Sequence, residues 1–102
     1  VSKLIVTYTK TNATNDNFWE PSNNYLTYRK SEFIDTGKIT SLEVSYLLQY
    51  TSNTRIKTAT TSFNNITSLN EWVATQVYID NKNNATEYNS TNGIAVEYQI
   101  IE

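Results

Sequence analysis

Thr40-Ser41-Leu42-Glu43-Val44-Ser45-Tyr46-Leu47-Leu48-Gln49-Tyr50 decides the class of this fold. Leu42, Val44, Tyr46, Leu48 and Tyr50 fall on one side of an extended chain and Glu43, Ser45, Leu47 and Gln49 on the other, because successive side chains of a strand point to opposite faces. Five consecutive matches to a period of two predict a strand over 40–50.

The same alternation recurs on both sides of it. Leu4, Val6 and Tyr8 share a face in a predicted strand over 3–9, which a polar stretch over 11–17 ends. Pro21 has no N–H to give to a ladder, so Phe18-Trp19-Glu20-Pro21 reads as a loop. Residues 24–29, with Leu26 and Tyr28 on one side, and residues 31–34 read as two short strands, closed by a turn at Asp35-Thr36-Gly37-Lys38. Residues 55–63 read as a polar edge strand on which Lys57 discourages pairing with other chains.

Beyond Asn64-Asn65, a short helical turn is expected at 68–71. Alternation then resumes over 72–79, with Val73, Thr75, Val77 and Ile79 opposite Trp72 and Tyr78. A turn over 80–84, a short strand over 86–89 and a hairpin at Asn92-Gly93 lead to a last strand carrying Ile94, Val96, Tyr98 and Ile100. About seven strands at this spacing predict one all-β domain over 1–102. The expected architecture is a two-layer antiparallel β-sandwich of immunoglobulin-like or fibronectin-like arrangement, with Trp72 in its core.

Composition supports a sheet. The chain has 102 residues, and its sixteen threonines, nine isoleucines and six valines favour extended backbone. Only 38% of residues are hydrophobic but 13% are aromatic, so large rings must carry much of the burial. Charged residues make up 18% and the net charge is −2, which leaves no basic stripe for nucleic acid. No apolar run is long enough to span a bilayer, and the first eight residues have neither a basic n-region nor a cleavage site. A surface covered by serine, threonine and asparagine in place of charge predicts an extracellular, cell-surface or virion-surface setting. In that richness the chain resembles surface proteins of archaea and phage structural proteins, a likeness of composition alone.

Without histidine or cysteine the chain lacks the residues that most often run acid–base, thiol and soft-metal chemistry near neutral pH. The carboxylate pairs Asp16 with Glu20 and Glu32 with Asp35 read as solvated surface acids. Residues 80–84 lack the glycine and terminal glutamate of a calcium loop. No catalytic residue, metal site or cofactor is expected, and Lys3, Glu43 and Glu97 have no spacing that marks an isopeptide trio.

Glycosylation sequons stand at Asn12, Asn65, Asn84 and Asn89, a number that fourteen asparagines and twenty-five hydroxyl residues produce by chance. The functional expectation is a non-catalytic structural or adhesive subunit of a filament, surface layer or virion, whose partner is a further copy of itself. Leu4, Val6 and Tyr8 of the first strand are the expected docking side chains. The alternatives are a small phage capsid or tail accessory protein, and a carbohydrate-binding module in which Trp19, Tyr25 and Tyr28 stack on glycan rings.

Overall fold

The computed structural model describes residues 1–15, 17–49 and 52–102. Its strands are β1 (Ser2–Lys10), β2 (Ile39–Gln49), β3 (Thr54–Phe63) and β4 (Ile94–Ile101). Its helices are α1 (Asn23–Arg29), which continues into a π-helical turn over Lys30–Ile34, α2 (Ile66–Val73) and α3 (Gln76–Thr91). The four strands make one antiparallel sheet in the order β2-β3-β1-β4. The fold is β-rich, as composition implied, but it is not a seven-strand immunoglobulin-like sandwich: helices form the second layer. Tyr50, expected to end the longest strand, and Asp16 lie outside the described residues.

Cross-strand register decides which residues meet the helices, since directly opposed residues share a face. Leu4 lies opposite Thr61 and Ile100, Val6 opposite Ala59 and Tyr98, and Tyr8 opposite Lys57 and Val96. Leu42, Val44 and Tyr46 extend these rows across β2. The intervening rows make a mixed outer face, polar at Ser45-Thr58-Thr7-Glu97 and largely apolar at Leu47-Ile56-Thr9-Ala95. A register shift between Ile39 and Ser41 inserts one residue into β2. That bulge keeps Ile39, of odd number, on the same face as Leu42, of even number.

Four segments expected as strands, 24–29, 31–34, 72–79 and 86–89, fall in helical structure, and each of the three α-helices begins at a side-chain cap. Ser22 Oγ accepts from the Tyr25 N–H, Asn65 Oδ1 from the Ser68 N–H and Thr75 Oγ from the Tyr78 N–H, at 3.3, 2.9 and 3.2 Å. Each cap satisfies a backbone donor that the first turn leaves open. In 24–29 the alternation of Leu26 and Tyr28 competes with the helical spacing of Tyr25, Tyr28 and Arg29, and the second wins because those rings reach Trp72. The π turn, with the Asp35 N–H donating to the Lys30 carbonyl at 2.8 Å, presents Phe33 to the core in place of a strand over 31–34.

The expected strands over 72–79 and 86–89, with their intervening turn, are replaced by the end of α2 and by α3. Leu69 and Trp72, three residues apart, form the buried face of α2. Along α3 that face holds Ala85 and Asn89. Asn92-Gly93 turns the chain as expected, yet it joins a helix to a strand and is not a hairpin.

Leu4, Val6, Phe33, Ile39, Phe63, Leu69 and Trp72 form the core between the sheet and the helical layer. Trp72, 1% exposed, is its centre, with ring centroids of Phe33, Tyr25 and Tyr78 at 4.8, 5.6 and 5.7 Å. Among the described residues no helix is long and apolar enough to cross a membrane.

Candidate functional site

The residues singled out in the sequence do not gather into one site. β1 is an inner strand, paired with β3 on one side and β4 on the other, so its main chain is already used within its own sheet. Leu4 and Val6 are 5% and 8% exposed, and Tyr8 packs against the core. β3, expected at an edge, is also an inner strand; the edges are β2 and β4.

Tyr25 and Tyr28 face Trp72, and Trp19 lies tilted on Tyr88 of α3 at 5.7 Å. These three rings therefore serve packing and offer no shared flat platform. Among the sequons, Asn12 is exposed with φ of 51°, Asn65 caps α2, and Asn84 is exposed on α3. Asn89 is buried, so a glycan there would require α3 to leave its place. Residues 80–84 lie inside α3, Asp35 pairs with Lys30 at 2.9 Å, and among the described residues no group of three acids is placed to hold a metal ion.

Two features that the sequence did not mark stand out. The first is the β2 edge. Leu42, Val44, Tyr46 and Leu47 are 40%, 54%, 64% and 54% exposed, whereas Ile39 at the start of the same strand is 3% exposed. The Asn64 N–H donates to the Lys38 carbonyl, and alternation along the unbroken β3 strand then turns Thr60 and Thr58 toward Glu43 and Ser45. The backbone donors and acceptors of Leu42, Val44 and Tyr46 consequently point away from the sheet. The edge has no lysine or proline, and Glu43 is its single charge.

The second feature is a cleft of about 380 Å³ between the sheet and helices α1 and α3, with Val44 and Tyr46 of β2 among its lining residues. Tyr8, Tyr25, Tyr78 and Tyr98 converge on it. Burial, reinforced by the neighbouring Tyr98 and Tyr25, pushes the Tyr8 phenol up to about 12. Burial and then Tyr98, Tyr25 and Tyr8 push Tyr78 up as well. Tyr25 and Tyr98 are also raised by burial; in Tyr25 the adjacent Arg29 guanidinium opposes the rise without cancelling it. The phenols are therefore neutral at physiological pH and act as hydrogen-bonding groups.

Each cation at the cleft lies over a tyrosine ring: Arg29 over Tyr25 at 5.3 Å, Lys57 over Tyr8 at 5.6 Å and Lys82 over Tyr98 at 4.3 Å. These residues come from two helices and β3, so no local motif announces them. The earliest sequence sign of their gathering is the trio of caps at Ser22, Asn65 and Thr75, which foretells the helical layer. Comparison of the chain with known protein families, with characterised proteins and with solved structures gives no match.

Proposed function

We propose that this chain is a non-catalytic structural or adhesive subunit of extracellular, cell-surface or virion-surface type, which associates with further copies of itself by continuing its sheet across β2. The observation that carries this reading is the apolar edge, in which Val44 and Tyr46 are more than half exposed beside unpaired main chain. A strand edge of this kind templates another strand through backbone hydrogen bonds. The role first expected of β1 passes to β2, because adding β1 to a neighbour would dismantle the centre of its own sheet.

A twofold axis at Val44 sets Leu42 opposite Tyr46 of the second copy on one face and Glu43 opposite Ser45 on the other. This self-complementary register leaves Glu43 facing a small hydroxyl side chain. A contact along one strand buries roughly 1,000 Å² in total, the weak end of specific interfaces, so assembly should depend on concentration in the micromolar range. The threonine- and asparagine-rich, weakly charged surface supports the external setting.

Sedimentation and light scattering of the native protein over a concentration series test the reading. Dimers or longer assemblies are expected, with Val44→Lys monomeric and unchanged in circular dichroism. A wild type that stays monomeric throughout, or a Val44→Lys protein that assembles as well as wild type, would overturn it. Leu42→Lys provides the same test should Val44→Lys fail to fold.

A further inference from the structure

The tyrosine-lined cleft combines a floor, a rim and unused donors. Leu4, Val6, Ala59 and Trp72 make an apolar floor, on which an aliphatic or aromatic body could rest. Arg29, Lys57 and Lys82 make the charged rim, while Glu20 is the single carboxylate among the lining residues. A protein of net charge −2 thus concentrates a local excess of two positive charges around one concavity.

Among the described residues these three cations have no ion-pair partner; the ion pairs present join Lys30 to Asp35 and Lys38 to Glu71. Two buried donors in side chains that line the cleft, Trp19 Nε1 and Arg29 Nε, have no hydrogen-bond acceptor. A buried donor left unpaired costs about 1–3 kcal/mol, and a small shift of either side chain that exposes its donor to a bound anion would recover that cost.

We infer that this cleft binds a small organic anion, with a carboxylate, phosphate or sulfate head held by Arg29, Lys57 and Lys82 and an apolar body resting against Val44 and Ala59. The neutral phenols of Tyr8 and Tyr98 add hydrogen bonds without repelling the head. Aliphatic or aromatic bodies of about ten heavy atoms fit the volume.

The test is an NMR titration of the native protein, following the indole N–H signals of Trp19 and Trp72, with phenyl phosphate, phenylacetate, phenol and inorganic phosphate as probes. Phenyl phosphate or phenylacetate should give a saturable shift of Trp19, and the tighter of the two identifies the head group. Phenol and inorganic phosphate should each bind at least about tenfold more weakly, since each lacks one half of the ligand. Arg29→Met should weaken binding about tenfold, the scale of a lost charge-assisted hydrogen bond. Lys30→Gln, outside the cleft, should leave binding unchanged. If Arg29→Met fails to fold, Lys82→Gln takes its place, with a several-fold loss expected. The inference is overturned if neither organic anion gives a saturable shift, if phenol or inorganic phosphate binds as tightly as the organic anions, or if the cleft variants bind like wild type.

Discussion

Ile39 and Val44 lie five residues apart on the same strand and face the same side of the sheet, yet one is 3% and the other 54% exposed. Both are β-branched aliphatic residues that stabilise a strand, so propensity does not separate them. The difference lies in what stands above them. Over Ile39 the π turn carries Phe33 onto Trp72, and α2 adds Leu69. Over Val44 there is the open side of the cleft and then solvent. One strand therefore contributes to a folding core at its start and to a docking edge beyond it.

The covered region should be the more fragile. Trp72→Ala removes the ring that Tyr25, Phe33 and Tyr78 surround, and should cost about 3–5 kcal/mol in urea unfolding at fixed protein concentration. A loss below about 1 kcal/mol would show that the helical layer is held chiefly by something other than that cluster.

A pH series tests the same region through its phenols. Unfolded tyrosine ionises near pH 10, whereas Tyr8 in the folded chain holds its proton to about 12. Below pH 10 both states keep the proton and stability is flat. Between pH 10 and 12 the unfolded state releases it first and stability falls. Urea midpoints should drop across this window together with a late rise in tyrosinate absorbance. A midpoint that is level to pH 12 would mean that the phenols are not sequestered.

The uncovered region should scarcely respond. Val44→Ala, measured at a concentration where the protein is monomeric, should change stability by no more than about 0.5 kcal/mol, against about 2–5 kcal/mol for Ile39→Ala. Equal costs at the two positions would abolish the distinction between core and edge.

The same contrast explains what the sequence disclosed. All four strands were legible, because Leu4-Val6-Tyr8, Leu42-Val44-Tyr46 and Ile94-Val96-Tyr98 each repeat with a period of two, although the same period over 24–29 and 72–79 proved to lie in helices. Of the helices only α2 was legible in part, through the helical turn expected at 68–71; α3 was not, since it is built from Asn81, Asn83, Asn84 and Asn89 with a thin apolar face, and its stability comes from contacts with α1 and β4. The cleft was hidden for a related reason: Tyr8, Arg29, Lys57, Lys82 and Tyr98 are scattered along the chain and meet only when the sheet order is known. Trp72 was expected in the core and lies there, but that Val44 would be left unroofed depended on a layer that the period-two reading concealed.

The position of β1 has a kinetic consequence. Its partners are remote, with Ser2 pairing with Phe63 and Lys3 with Ile101, whereas β2 and β3 adjoin in sequence as well as in the sheet. Closing the long intervals costs chain entropy before any contact repays it, so folding should start at β2–β3 and finish when β1 enters between β3 and β4. Until then β3 presents a second bare edge, and the conversion of that intermediate sets the time during which newly made chains can pair incorrectly with one another.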